Sequence, residues 1–352
     1  MKCAFTTATI SYLPKAFTLA ETFLKFNGNY HFFIFIIDPL DDRSNPFTHD
    51  KIKYISIDQL EIEGFSELIN DYNISEISFS LKPALSLWLL ETKPEIEFVF
   101  YFDSDMAFYH DVSIAESMLN TYDLLLTPHF HHPVTDDKIP SELDILRTGL
   151  YNLGFAAFRN TPNGKEILIW WKNRVFQYGI ENHDLGLTAD QMWINLVPLF
   201  FKKVGFLEHP GYNFAYWNVH ERELSMKNGK FEVNDKFPLV FVHFADYDPQ
   251  NPEWFTNQKH FNRIEPGQNA FLDQLCKEYQ ERLIENLYLS YYQIKSQYSL
   301  TGYKRAVNKF FSSKKIKEKF KFLIISIFYL LPKSIRAGLR FCSMFYIRNV
   351  KS

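Results

Sequence analysis

Short apolar runs alternate with amphipathic stretches along most of the chain, and this alternation predicts an α/β fold. Continuous apolar runs indicate strands buried on both faces, and apolar positions at helical spacing indicate the helices between them. Strands are predicted over residues 3–7, 31–37, 98–102, 123–127, 151–159 and 239–244. Helices are predicted from residue 14, over 80–91, 164–176 and 190–201, and throughout the segment from 268 onward.

Alternating strands and helices favour a mainly parallel sheet with helices on both faces. In such sheets, ligands bind outside the carboxyl ends of the strands. We predict a principal α/β domain over residues 1–267, a helical extension over 268–302 and a basic amphipathic tail over 303–352.

Composition narrows the class of protein. With 46% hydrophobic residues the chain is too apolar for disorder. Three cysteines, Cys3, Cys276 and Cys342, are odd in number and form no Cys-x-x-Cys pair, which argues against a disulfide framework or a zinc ribbon. The N-terminus has no apolar segment typical of a signal peptide. We therefore expect a cytoplasmic protein.

Charge is divided unevenly along the chain. Residues 303–352 hold thirteen Lys or Arg against one acid, a net charge of +12, so that a total of -3 leaves -15 for residues 1–302. An acidic body argues against nucleic-acid binding. The tail interleaves basic and apolar residues, which predicts association with the anionic inner face of the cytoplasmic membrane. A helix docked on the body or on another subunit is the alternative.

Two acidic residues directly follow the strongest predicted strand, FVFYF at 98–102. Asp103 and Asp105 are two positions apart on an extended chain, so both carboxylates point to the same side. A hard divalent cation relieves the repulsion between them. The motif therefore predicts a Mn²⁺ or Mg²⁺ site. A solvated pair in a turn is the alternative, because Asp-x-Asp recurs by chance, as at Asp246 and Asp248.

His243 lies in the last predicted strand, LVFVHF. We expect this strand to join the same sheet, which would bring His243 to the two carboxylates and complete an Asp-Asp-His metal site. A core histidine with satisfied hydrogen bonds is the alternative. Asp246 and Asp248 are interpreted either as further ligands or as caps of the following loop.

The segment HPGYNFAYWN (209–218) combines aromatic rings with amide and imidazole groups. Such groups suit the apolar faces and hydroxyls of sugar rings, so His209, Asn213 and Trp217 are candidate acceptor contacts. An ordinary aromatic core segment is the alternative.

The long polar loop over residues 128–146 contains His129, His131 and His132. Long loops inside compact domains are usually functional or mobile. We interpret it as a polar acceptor loop in preference to a second metal site.

Four segments carry a resemblance to a known family: YFDSDM at 101–106, YNLGFAAF at 151–158, ADQMWINL at 189–196 and FVHF at 241–244. The chain resembles the GT-A glycosyltransferases, nucleotide-sugar-dependent enzymes with an Asp-x-Asp motif. It is most similar to family eight, the retaining transferases of lipooligosaccharide synthesis and glycogenin. The resemblance implies a GT-A fold, with a Rossmann-like, mainly parallel central sheet flanked by helices, and makes residues 1–267 the catalytic domain.

The resemblance also implies roles for individual residues. Those at the family's functional positions are Asp103, Ser104 and Asp105 for metal and diphosphate, His243 as third metal ligand, Asn152 and Gly154 for the donor-sugar pocket, and Asp190 and Gln191 beside the anomeric carbon. Because Asp190 opens a predicted helix, N-capping is the alternative role for its carboxylate.

The chain departs from the family in two places. The family's strand-end His is normally followed by Gly and Lys-Pro-Trp, whereas this chain reads HFADYDP, so the diphosphate-binding Lys is missing. Lys82, in LKP, is the substitute candidate. The first strand reads TTAT, without the acid that often contacts the base or ribose, and Thr6 and Thr7 are the candidates in its place.

Together these features predict a metal-dependent enzyme. It would transfer a hexose from a nucleotide-sugar, by resemblance a UDP-sugar, to a surface glycan or lipid-linked saccharide, with retention at the anomeric carbon. A non-catalytic carbohydrate-binding or scaffold protein is one alternative. A nucleotide-sugar pyrophosphorylase is another, but it needs a Gly-rich N-terminal loop with Arg that the chain lacks.

Overall fold

The computed structural model describes residues 1–298, apart from 43, 45, 46, 183, 184, 259 and 260, together with scattered positions beyond 298. The chain divides into two units, residues 1–62 with 78–297 and residues 63–77 with 298–352. Most of the predicted basic tail, 303–352, lies outside the described residues. The predicted boundaries after residues 267 and 302 stay predictions.

The strands are β1 (Lys2–Ala8), β2 (Tyr30–Ile36), β3 (Ile52–Ser56), β4 (Phe98–Phe102), β5 (Met106–Phe108), β6 (Leu124–Pro128), β7 (Tyr151–Arg159), β8 (Glu181–Asn182), β9 (Leu187–Thr188), β10 (Val204–Phe206), β11 (Leu224–Lys227), β12 (Lys230–Val233), β13 (Phe237–Pro238) and β14 (Phe241–His243). The helices are α1 (Leu13–Phe26), α2 (Phe65–Asp71), α3 (Ile74–Thr92), α4 (Ser113–Met118), α5 (Glu142–Thr148), α6 (Pro162–Tyr178), α7 (Gln191–Ile194), α8 (Val197–Phe200), α9 (Ala270–Glu285) and α10 (Tyr288–Tyr291).

Seven strands form the central sheet of the first unit, in the order β10-β6-β7-β4-β1-β2-β3. Only β7 runs antiparallel to its neighbours, and the other pairs are parallel. Every residue of β4 is buried, as expected for a strand covered on both faces. The predicted α/β class with a mainly parallel sheet is confirmed.

The carboxyl ends of β1 and β4 lie side by side. These two strands are parallel neighbours, with Phe5 opposite Tyr101. The chain therefore leaves β1 toward α1 and leaves β4 toward Asp103 at the same edge of the sheet. Beneath this edge, Phe23 of α1 packs against Phe102 and Phe108, so a continuous aromatic core supports it.

The helix predicted over 80–91 begins earlier than expected. Asn73 and Glu76 form a reciprocal pair in which each backbone N–H donates to the other's side chain, and this capping box starts α3. Pro83 consequently lies inside α3 rather than in its first turn. Ser80, the first residue of the predicted helix and its candidate N-cap, is therefore inside α3 and does not cap it.

The helix predicted over 190–201 is two four-residue helices, α7 and α8. Pro198 is the second residue of α8 and has no backbone N–H to bond back toward α7. The interruption leaves Asp190 and Gln191 on a short turn beside β7 rather than on a long helix.

The strand predicted over 239–244 does not join the central sheet. It is shortened to β14 and pairs antiparallel with β5, with His243 opposite Met106. Since β5 begins immediately after Asp105, this local pairing, and not the central sheet, brings His243 to the carboxylates.

The segment from residue 268 is helical in α9 and α10, while residues 292–298 are not. α9 packs on the end of β14, where the rings of Tyr279 and Phe244 stack with centroids 3.9 Å apart. None of the helices in the described part of the chain has the length and apolar composition that a bilayer crossing requires.

Candidate active site

The two carboxylates of the Asp-x-Asp motif lie at the carboxyl end of β4. The backbone N–H of Asp103 donates to the carbonyl of Gly154 at 2.7 Å, which fixes the turn against β7. The hydroxyl of Tyr101 donates to Asp103 Oδ1. The side chains of Asp103 and Asp105 are 23% and 18% exposed, so they are accessible to a ligand while remaining held by the fold.

His243 faces both carboxylates through one ring nitrogen. Its Nε2 lies 3.2 Å from Asp105 Oδ1 and 4.0 Å from Asp103 Oδ2. Its Nδ1 lies 3.2 Å from Asn152 Oδ1 and 3.3 Å from Asn213 Oδ1. Two amide oxygens at Nδ1 require a hydrogen on that nitrogen, so Nε2 faces the carboxylates and can hold either a proton or a cation between them.

This arrangement fits a divalent cation in its donor chemistry. Two carboxylates and an imidazole lone pair repel one another unless a proton or a metal ion lies between them, and Mn²⁺ and Mg²⁺ accept such oxygen-rich sets. The Nδ1 partners orient the imidazole as outer-shell groups do in metal sites. Within the described residues, no group of three or more His, Cys, Asp or Glu side chains has the arrangement needed to hold a metal ion. The Asp105–His243 pair is in direct contact instead.

Burial and charge act in opposite directions on Asp105. Burial raises the pKa of its carboxyl, but His243 and, more weakly, Lys15 lower it by more, so the net shift is downward. Asp105 is therefore held as a carboxylate.

Lys82 lies between Asp103 and Asp190 and forms an ion pair with each. Its Nζ, 2% exposed, lies 3.4 Å from Asp103 Oδ1 and 3.0 Å from Asp190 Oδ2, and donates to the carbonyl of Leu153 at 2.9 Å. Burial lowers the pKa of Lys82, but the two carboxylates outweigh burial and the net shift is upward. Lys82 does not open a helix as expected, since it lies well inside α3.

Asp190 occupies the N-cap position of α7 without capping it, because no side-chain cap hydrogen bond is present. Its carboxylate instead forms the ion pair with Lys82. Burial raises the pKa of Asp190, and Lys82 opposes that shift. Oδ2 of Asp190, 3.0 Å from Lys82 Nζ, is a buried oxygen that accepts no hydrogen bond in the described structure. A substrate hydroxyl would supply one.

Gln191 is fixed by backbone groups at both ends of its amide. Its Oε1 accepts from the N–H of Leu153 at 3.1 Å, and its Nε2 donates to the carbonyl of Thr148 at 3.1 Å. Gly149, at φ +127°, lies so close that an added Cβ would be 2.9 Å from the Gln191 Cβ. The amide is thereby held rigidly beside β7.

Asn152 and Gly154 shape the site from β7. Asn152 Oδ1 accepts from the Gly154 N–H and from Asn213 Nδ2, both at 3.1 Å, which settles its orientation toward His243. A Cβ at Gly154 would lie 2.5 Å from His243 Cε1. The glycine thus makes room for the imidazole, a role in packing that the resemblance did not specify.

The remaining donor candidates lie on the same edge of the sheet. Thr6 and Thr7 are buried near the end of β1, and Ser104 is 9% exposed between the two aspartates. Thr7 Oγ1 lies 3.0 Å from Ser78 Oγ, whereas the buried Thr6 Oγ1 has no hydrogen-bond partner in the part of the chain described.

The three acceptor candidates of segment 209–218 lie in different surroundings. Asn213 is fully buried in the network behind His243, and the Trp217 ring meets the His243 ring edge to face at 5.2 Å. Both therefore support His243 rather than line an open surface. His209 packs on the rings of Tyr212 and Phe237 instead.

The three loop histidines do not act alike. His129 is buried, its Nε2 lies 3.3 Å from Asn152 Nδ2, and burial lowers its pKa to about 4. The backbone N–H groups of His131 and His132 donate to the carboxylate of Glu221, and these hydrogen bonds hold the loop against the segment that contains Glu221. His129 is thus a neutral neighbour of the site, and the acceptor-loop interpretation of the rest stays a prediction.

Asp246 and Asp248 accept hydrogen bonds within their own loop, from Gln258 and from Gln250 and Asn251 respectively. These contacts are those expected if the two aspartates cap the following loop, which was one of the two interpretations from the sequence.

Two residues near the site were not predicted. Tyr101 is recoverable from the sequence, because it alternates with Asp103 and Asp105 on one side of the extended chain. Lys15 is not, since nothing in the first turn of α1 signals its burial. Its side chain is 6% exposed, and burial lowers its pKa while Asp105, Asp246 and Asp248 oppose that shift.

No protein-family model matches the chain. Among curated proteins, it is similar to two uncharacterized proteins of Bacillus subtilis. YfnF is 29% identical over 211 residues, 57% of this chain and 69% of that protein. YfnD is 25% identical over 204 residues, 57% of this chain and 63% of that protein, so this match spans less than two thirds of the relative.

Among solved structures, the chain is similar to the galactosyltransferase LgtC in complex with donor and acceptor sugar analogues. The TM-score is 0.47 at 14% identity, over 81% of this chain and 96% of that one. It is also similar to the glycosyltransferase GlyE of Streptococcus pneumoniae TIGR4, with a TM-score of 0.44 at 15% identity, over 84% of this chain and 65% of that one. Both are glycosyltransferases, the class that the sequence motifs resemble.

Proposed function

We propose that this protein is a metal-dependent glycosyltransferase that moves a hexose from a nucleotide-sugar to a saccharide acceptor. The observation that carries the proposal is the imidazole of His243, whose Nδ1 is fixed by two amide oxygens while Nε2 faces Asp103 and Asp105. Such an arrangement lowers its electrostatic energy when a divalent cation is bound.

Asp103, Asp105 and His243 would hold Mn²⁺ or Mg²⁺. When bound, the ion neutralises negative charge that develops on a diphosphate leaving group. In the transfer, the bond from the anomeric carbon to phosphate oxygen breaks with its electron pair on the diphosphate. The acceptor oxygen bonds to that carbon, and its proton passes to a phosphate oxygen of the departing diphosphate.

Asp190, Lys82 and Gln191 would bind the sugar. Lys82 holds the Asp190 carboxylate in place, and Oδ2, which accepts no hydrogen bond in the described structure, would accept from a sugar hydroxyl. The Gln191 amide is anchored at both ends, with Oε1 accepting from Leu153 and, at 3.5 Å, from Asn152, and its dipole would lie beside the positive charge that develops on the ring.

The donor, the stereochemistry and the acceptor are assigned from the family resemblance and from the basic tail over residues 303–352. We propose a UDP-sugar donor, retention at the anomeric carbon, and a surface-glycan or lipid-linked acceptor met at the inner face of the cytoplasmic membrane. The +12 tail supplies the attraction to anionic lipid. A β-linked first product from an α-linked donor, seen by proton NMR, would contradict retention.

A screen of nucleotide-sugars for metal-dependent hydrolysis tests the enzyme, because slow donor hydrolysis needs no acceptor. Asp103→Asn and Asp105→Asn should nearly abolish it. Asp111→Asn, which removes a 42% exposed carboxylate after β5, is the matched control and should retain it. Full turnover in excess EDTA would refute the metal assignment. Calorimetry with UDP and Mn²⁺ distinguishes an enzyme from a scaffold protein, which would bind neither.

A further inference from the structure

Two lysines are buried within the described part of the chain, Lys82 and Lys15. They differ in how their ammonium groups are satisfied. Lys82 donates to one backbone carbonyl and forms ion pairs with two carboxylates. Its positive charge is therefore already balanced within the fold.

Lys15 is buried without such partners. Among the described residues it makes no hydrogen bond or ion pair, and its Nζ lies over the ring of Tyr12, 5.1 Å from the centroid. Tyr12 is 46% exposed, so the ammonium lies near the surface. An ammonium that has no protein partner among the described residues and lies near the surface can bind an anion.

The position of Lys15 on α1 favours an anion. It is the third residue of a 14-residue helix whose N-cap, Tyr12, makes no side-chain capping bond. The macrodipole at this end favours negative charge and disfavours a lysine. A bound anion would reverse that penalty and satisfy the ammonium at once.

Lys15 also lies at the edge of the sheet that carries the two aspartates, because it is in the first turn of α1 after β1, and β1 is the parallel neighbour of β4. With a divalent cation on Asp103 and Asp105, and Lys82 paired with Asp190, these charges balance. A nucleoside diphosphate then brings negative charge that nothing else in this set neutralises.

We propose that Lys15 binds the phosphate oxygens of the nucleoside-diphosphate part of the donor, taking the place of the absent lysine after His243. This inference rests on the proposed function and adds a residue to it. Lys15 would hold the same oxygens before transfer and after it, when the diphosphate carries one more negative charge.

The test is calorimetry on the full chain with Mn²⁺, using UDP, inorganic pyrophosphate and uridine as probes. Lys15→Met should weaken UDP and pyrophosphate binding by about ten- to a hundredfold, the range for a lost hydrogen bond to a charged group. Uridine binding should not change. Lys25→Met, which removes an exposed lysine from the same helix, should bind all three like the parent.

Thermal unfolding separates ligand binding from a structural role. Because its ammonium is unpartnered, Lys15→Met should be at least as stable as the parent, whereas loss of a structural lysine lowers stability. Lys15→Gln keeps length without charge and serves if the Met variant fails to fold. If either folded variant binds UDP within twofold of the parent, the inference about Lys15 is wrong and the proposed function is unaffected. A parent chain that binds neither UDP nor pyrophosphate overturns the proposed function as well.

Discussion

Adding one methyl group at Gly154 is the sharpest perturbation of the candidate metal site that the structure offers. The Cβ of Gly154→Ala would lie 2.5 Å from His243 Cε1 and 2.7 Å from Met106 Cε. The end of Met106 can swing away, but the imidazole is held by Asn152, Asn213 and Trp217. Restoring ordinary contact near 3.4 Å requires the ring to move by roughly 0.9 Å.

The displacement of the His243 ring determines how much stability and metal affinity the variant should lose. Overpacking costs about 1–3 kcal/mol, offset by about 0.4–1 kcal/mol because alanine restricts the unfolded chain. We expect a net loss of about 0–2.5 kcal/mol in the free energy of unfolding. Hydrogen bonds at 3.2 and 3.3 Å from Nδ1 do not survive such a shift. Loss of outer-shell partners lowers metal affinity by about 10–100-fold.

The assays are Mn²⁺ calorimetry, donor hydrolysis as a function of Mn²⁺ concentration, and thermal unfolding. Gly28→Ala is the matched control, because the nearest atom to its added Cβ is 3.7 Å away and nothing has to move. Gly154→Ala with parental Mn²⁺ affinity and parental stability would refute the reasoning that His243 is a fixed ligand.

Three further predictions follow from other parts of the molecule. Asp190→Asn should cut donor hydrolysis by about 10²–10⁴-fold and lower stability, because Lys82 loses a carboxylate; a capping role predicts neither, since Asn caps as well as Asp. His129 has a folded pKa of about 4 against about 6.5 unfolded, so stability should fall as pH drops from about 6.5 to 4 and then level off. In urea titrations, His129→Gln should flatten that decline, and an unchanged slope would contradict it. Truncation after residue 302 removes the +12 tail and should abolish flotation with anionic liposomes; flotation of the truncated chain would show that the tail is not the anchor.

Local pattern was sufficient for the elements that build the edge of the sheet. The run FVFYF and the segment YNLGFAAFR were predicted as strands with the bounds that the structure shows. Burial on both faces of a parallel sheet leaves a continuous apolar run, which is readable without knowing the partners. The same-side placement of Asp103 and Asp105 follows from strand geometry alone.

The limits of two helices and the partner of one strand were predicted incorrectly. Asn73 moved the start of α3, and Pro198 split the helix after Asp190, although both signals are present in the sequence. The partner of β14 was not predictable, because a strand of only three residues fits several sheets equally well. Packing of β14 on β5 decided it.

The electrostatics of the site came only from the tertiary structure. The sequence by itself determined which carboxylates, imidazole and amides are available, and in which order strands present them. It could not show that Lys82 joins Asp103 to Asp190, that two amide oxygens orient His243, or that Lys15 is buried without a partner. Charge pairing depends on distances between groups far apart along the chain, and only folding sets those distances.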